Sequence, residues 1–274
     1  MMGKALGFAV EVAGKTLLRR LVLLRHVGSP QRICIITRME EGCSMSHANL
    51  NKAQTTLVQR LQDSRSKKVV FLSHCILNEN TRYLGGACRR GCIREIVEQC
   101  LEYDLGIVQM PCPEQYAWGG VLKRLLLLAY GLKWRFPLAY RLRGVLIPVG
   151  LLYTRLVYRR LAQQTVRQIE DYLASGFSVV GIVGIDGSPT CAVNKALDFH
   201  GFDLIATIPL ESITVDKQNT ILRECVMDGK GIFIDELHKE LKRRRINIPY
   251  QAHDLIAELD GKKSTVEFGE FVRA

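Results

Sequence analysis

The first strong hydrophobic signal is Val69-Val70-Phe71-Leu72-Ser73, a β-rich apolar run that predicts a buried strand. A Gly-rich loop follows, from Gly85-Gly86 to Gly91. Ile93, Ile96, Val97, Cys100 and Leu101 then recur at helical spacing and predict a helix over 93–103. Residues 106–110 read as a second strand, stopped by Pro111 and Pro113. Residues 118–162 are apolar and basic, interrupted by Pro137 and Pro148, and 165–174 predicts a helix ended by Ser175-Gly176. The continuous apolar run 178–185 has the character of a strand inside a parallel sheet. Beyond it, the pattern predicts an edge strand at 202–208, a helix at 216–227 and a short strand at 231–234. A last helix at 236–245 carries Lys242, Arg243, Arg244 and Arg245 in its final turn, where cations suit the helix dipole. This β-α-β-α-β-α order predicts an α/β fold: a Rossmann-like three-layer domain with a parallel sheet.

Charge adds a second feature. The chain has 274 residues, 47% hydrophobic and 24% charged, which excludes a wholly disordered or collagen-like protein. Its net charge of +11 is unevenly placed. Residues 1–68 carry twelve basic side chains against four acidic, and residues 115–169 carry ten against none. Residues 1–66 therefore read as a basic N-terminal extension, unordered or outside the translated chain, with Met39 and Met45 as alternative starts. Residues 67–274 read as the α/β domain with a basic apolar insertion at 118–162. In that insertion Lys123, Arg124, Lys133, Arg135, Arg141, Arg143, Arg155, Arg159 and Arg160 alternate with Leu, Trp, Tyr and Phe. Such a segment suits an anionic membrane surface, RNA phosphates with stacked bases, a lid over a site, or a packed helical hairpin. No apolar stretch reaches the roughly 18–20 residues that span a bilayer. Nine cysteines, no clear secretory signal and no even disulfide framework point to a reducing cytoplasm, with at most peripheral attachment to the inner membrane face. The oligomeric state leaves no trace in the sequence.

The chemistry gathers at the predicted strand ends. Cys75 follows the first strand, Cys112 the second and Cys191 the third, each close to a turn. The carboxyl ends of parallel strands form the ligand crevice of an open sheet, so three cysteines distant in sequence converge there. Three thiolates suit either a zinc ion with an open position or an iron–sulfur cluster with one iron free for substrate. Cys88 and Cys92 form a C-x3-C pair suited to a metal or a redox role, and Cys225 reads as a core residue.

The segments Cys-Ile-Leu-Asn-Glu-Asn-Thr-Arg-Tyr (75–83), Cys-Pro-Glu (112–114) and Ser-Pro-Thr-Cys (188–191) resemble, in order and spacing, three signatures of a bacterial family of unknown function. The characterised branch of that family includes 2-thiouracil desulfurase, and the resemblance covers roughly residues 67–200. It implies a 4Fe–4S cluster on Cys75, Cys112 and Cys191, with zinc as the alternative metal. It also implies a small thiolated substrate whose sulfur is bound by the open iron and removed. Glu114 and Ser188 are then the candidates for proton transfer and substrate hydrogen bonding, and Asn80, Arg82 and Tyr83 line the pocket. Arg82 either binds an anionic substrate group or pairs with an acid such as Asp186. The first signature commonly has Cys and Asp where Thr81 and Leu84 stand, and the third has Ser and Gly at Thr190 and Ala192. The insertion at 118–162 is absent from compact members of the family. The rival reading is a non-catalytic, metal-stabilised module that binds an anionic membrane or RNA through that insertion.

Overall fold

The structure is a computed structural model that describes residues 47–198, 200–264 and 266–273. The chain divides into two compact units at Ser64/Arg65. In the first unit, α1 (His47–Arg60) is a helix inside the stretch expected as a basic extension. The expectations for residues 1–46 lie outside the described residues.

The second unit begins with β1 (Lys68–Leu72), which leads through the short α2 (His74–Leu77) and a 3-10 turn (Glu79–Thr81) to α3 (Arg94–Glu102) and β2 (Gly106–Gln109). Four short helices, α4 (Pro113–Ala117), α5 (Arg124–Leu127), α6 (Leu132–Arg135) and α7 (Pro137–Arg141), precede the long α8 (Arg143–Ala174). After β3 (Ser178–Asp186) come β4 (Lys195–Leu197), α9 (His200–Thr207), a 3-10 turn (Leu210–Ser212) and α10 (Val215–Glu224). The chain then forms β5 (Val226–Asp228), α11 (Ile232–Arg243), β6 (Tyr250–Asp254), α12 (Leu255–Leu259) and α13 (Phe268–Arg273).

The central sheet has the order β2-β1-β3-β6 and every pairing in it is parallel. Period-two alternation on β1 explains the layers. Val69 and Phe71 pack toward α8 and α11, whereas Val70 and Leu72 pack toward α3 and α13. The unit is thus a three-layer α/β domain of Rossmann-like form, as the pattern of elements predicts. On β3 the register against β1 slips at Val69/Val70, so Val180 is an extra residue. Beside it, a Cβ on Gly181 would lie 2.8 Å from the Phe271 ring, and its absence lets α13 close onto the sheet. Because β2 and β3 lie on opposite sides of β1, the chain direction switches between β1 and β3. Open α/β sheets bind ligands outside the carboxyl ends of the strands at such a point.

Several elements differ from expectation. Residues 202–207, expected as most of an edge strand at 202–208, belong to the helix α9. Gly201 backs onto Cys225, and Ile205, one helical turn on, faces the interior cavity, so a short apolar run takes the 3.6-residue period. Residues 231–234 open α11: Phe233, Ile234, Leu237 and Leu241 form one buried stripe, which merges the expected strand into the following helix. The fourth strand, β6, goes unpredicted because Tyr-Gln-Ala-His-Asp lacks an apolar alternation. Helix α8 runs through Pro148, where residues 144–150 are all exposed, so the backbone carbonyl that proline leaves unpaired is not buried.

Candidate metal and substrate site

The three cysteines reach the same cavity by three different local devices. Cys75 lies in α2, directly after β1, and Ser73 ahead of it stays in the sheet through its N–H to Val183 O (3.0 Å). Cys112 occupies the cap position of α4, with Pro113 at the first helical residue, where proline's fixed φ suits a helix start. Cys191 sits on a turn clamped from both sides. The Ile185 N–H donates to Cys191 O at 2.9 Å, and the N–H groups of Ile232 and Phe233 donate to Pro189 O and Thr190 O at 3.1 and 3.0 Å. The otherwise unpaired N–H groups at the start of α11 thereby hold the turn. Two glycines make this approach possible. A Cβ on Gly184 would stand 2.4 Å from Cys191 O, and one on Gly231 would stand 2.4 Å from Thr190 O.

These devices bring Cys75, Cys112 and Cys191 to the wall of one cavity of about 100 Å³, at the carboxyl ends of β1, β2 and β3. Cys112 and Cys191 are buried and Cys75 is half-buried. Burial raises the pKa of each, that of Cys112 to about 12 and that of Cys191 well above the usual thiol range. Charge on Cys75 raises both of the others, so the three thiols are within electrostatic reach of one another. Among the described residues no three His, Cys, Asp or Glu side chains are grouped as the ligands of a single metal ion.

A polar chain runs along the same wall. Ser188 Oγ accepts from the N–H groups of Thr190 (3.2 Å) and Cys191 (3.1 Å), so it shapes the Cys191 turn. Ser188 and Thr190 share a hydroxyl–hydroxyl bond of 3.1 Å, and the Thr190 hydroxyl donates to Glu114 Oε1 at 3.0 Å. Glu114 Oε2 is paired with Lys123 Nζ at 2.6 Å. Burial alone would lower the Lys123 pKa, but the charge and hydrogen bond of Glu114 and the charges of Cys112 and Cys75 raise it above its ordinary value. Lys123 is a buried cation beside the thiols. It turns inward on a left-handed backbone (φ 51°), after Gly119 and Gly120 reverse the chain. The sequence pattern places it among the basic residues of the insertion and marks Thr190 only as a departure from the motif. The Gly-Gly pair just ahead of Lys123 is the signal that marks its turn inward.

The other expected site residues divide. Tyr83 lines the cavity, its ring lying against Gly86 and its hydroxyl donating to Asn219 Oδ1 at 3.3 Å. Arg82 lines it too, but its guanidinium pairs with Glu258 (2.7 Å) and Glu79 (3.4 Å). The suggested pairing with Asp186 is incorrect, because that carboxylate accepts from the N–H groups of Val193 and Asn194 at 2.9 Å each. Asn80 does not line the cavity. It is exposed and donates to Asn78 Oδ1, closing the 3-10 turn. Cys88 and Cys92 also lie away from the cavity, and Cys225 is buried on its apolar wall. The start of the insertion forms part of the cover, with Trp118, Leu126 and Tyr130 facing inward.

A protein of Methanocaldococcus jannaschii, itself uncharacterised, is 24% identical over 131 residues, covering 48% of this chain and 71% of that protein. No protein-family description matches the chain. No solved structure matches it either. Among the described residues, no helix is long and apolar enough to cross a membrane.

Proposed function

We propose that this protein holds an iron–sulfur cluster of the 4Fe–4S type on Cys75, Cys112 and Cys191 and removes sulfur from a small thiocarbonyl compound. The observation that carries this reading is the meeting of three soft thiols from three adjacent strand ends in one cavity with the Glu114–Lys123 pair. The cavity that the three thiols line, about 100 Å³, is several times the roughly 10–15 Å³ that a single water needs. When bound, the cluster supplies a thiophilic iron that holds the substrate sulfur.

The net reaction consumes water and converts C=S to C=O, releasing hydrogen sulfide, with no oxidant or reductant needed. Glu114, as the carboxylate paired with Lys123, takes a proton from the attacking water. Thr190 and Ser188 extend that carboxylate into a hydroxyl relay that can return the proton to the departing sulfur. Lys123 and Arg82 lower the cost of thiolate charge in the cavity, as both act on Cys75. Trp118, Leu126 and Tyr130 keep bulk water from the reacting carbon.

The test is sulfide release from a panel of thiocarbonyl compounds, 2-thiouracil and thioamides among them, by anaerobically prepared protein. Glu114→Gln keeps the shape and the Thr190 bond but loses the base, so turnover is expected to drop about 10²–10⁴-fold with the cluster spectrum intact. Full turnover in that variant would remove Glu114 from the reaction. No sulfide from any member of the panel would overturn the proposed activity.

A further inference from the structure

Helix α8 carries two apolar stripes, and only one is used by the fold. With about 100° between successive residues, Thr154, Tyr158, Leu161 and Thr165 fall on one side, where all four are buried. Val145, Val149, Leu152 and Leu156 fall on the opposite side and are 66%, 62%, 63% and 54% exposed. An aliphatic stripe about three turns long therefore faces outward, and over residues 144–150 every side of the helix is exposed. Trp134, Phe136 and Leu138, at the preceding bend, are also exposed. Apolar surface gathered in this way marks an interaction site, because scattered exposure is what a monomer tolerates.

The charges around this surface select its partner. Residues 115–169 contain no acidic side chain. Arg155 and Arg159 turn back toward Glu236 and Glu240 on α11, and Arg143 pairs with Asp203. Lys133, Arg135, Arg141 and Arg160 have no acidic partner among the described residues, and Arg160 lies one turn beyond Leu156. Lys133 and Arg135 stand over the rings of Trp134 and Phe136. Aliphatic side chains bounded by cations and by aromatics with polar partners match the interface of an anionic bilayer. A second copy of this chain would oppose like charges across the contact. RNA would leave the Val and Leu stripe without a use, since bases stack on aromatic rings and phosphates need only the cations.

We infer that the outer stripe of α8, with the basic bend at 133–141, docks this protein on the surface of an anionic membrane, lying in the interface without crossing it. The inference is independent of the proposed desulfuration. It is tested by sedimenting the full chain with vesicles of phosphatidylcholine, with and without 30% phosphatidylglycerol (a composition of about one anionic lipid in three). Binding is expected to the anionic vesicles only and to weaken strongly when salt is raised from about 0.1 to 0.5 M. Val149→Asp with Leu152→Asp should lower the partition coefficient at least about tenfold while the melting temperature holds, as both side chains face solvent. Arg135→Gln with Arg141→Gln, which leaves the helix untouched, should lower it about fivefold for each charge. Equal partitioning of the native protein and both variants would overturn the inference. So would a dimer in light scattering that Val149→Asp dissociates, or a shift of labelled RNA, in protein that leaves the vesicles unbound.

Discussion

Gly184 shows how much of the site depends on residues with no chemistry of their own. A methyl group there would meet backbone at 2.4 Å, and the backbone it meets is that of Cys191. Gly184→Ala is expected to fold and yet to lose iron if the proposed cluster is present, because the displaced turn carries Cys191, one of its proposed ligands. Iron per chain that matches the native protein would show that the turn adapts. His253 supplies a prediction in pH. Burial, then the charges of Arg82 and Arg89, lower its pKa to about 4, and it stands 3.0 Å from Glu258. Above pH 6.5 the ring is neutral in both folded and unfolded chains. Between pH 6.5 and about 4 only the unfolded chain takes up the proton, so stability falls with falling pH by up to about 1.4 kcal/mol per unit. Denaturant titrations across that window should show a shallower dependence for His253→Gln, and identical slopes would contradict the assignment.

At the scale of elements, the stretch from Cys75 to Tyr83 divides its labour. Cys75 and Tyr83 face the cavity, whereas Glu79 and Arg82, with buried Glu258 and the partly exposed Arg89 and Glu95, form a charge cluster that ties the loop after α2 to α3 and α12. Arg82→Met removes a cation between two buried carboxylates, and a loss of about 3–5 kcal/mol in unfolding free energy is expected from chemical denaturation. A change below about 1 kcal/mol would mean that Arg89 alone satisfies both acids. The same stretch shows what a sequence reveals. The cysteine positions are legible because strands of continuous apolar residues end where turn residues begin, as at Leu72 and at Asp186. The partners of Arg82 are not, since Glu258 is 176 residues away on an element that follows an unpredicted strand. β6 escapes notice because only His253 is buried among its residues, so the alternation that marks β1 is missing. The first half of α8 is hidden by Pro148, a breaker in most helices, whose cost is tolerated here because the helix stands in water at that point.

On the scale of the whole molecule, two surfaces with separate physical demands share residues 115–169. Early in this segment Trp118, Lys123, Leu126 and Tyr130 line the cavity, while α8 turns one stripe to the core and another outward. The cavity itself sits where a parallel sheet with the order β2-β1-β3-β6 is expected to bind a ligand, and it is there that the three thiols meet. The central claim is that these thiols hold an iron–sulfur cluster. The most direct measurement is iron and acid-labile sulfide per chain, with a visible spectrum, on anaerobically purified native protein and on Cys75→Ala, Cys112→Ala and Cys191→Ala. About four irons and four sulfides are expected in the native chain, with their loss in each variant. One zinc without sulfide, or iron retained in all three variants, would contradict it.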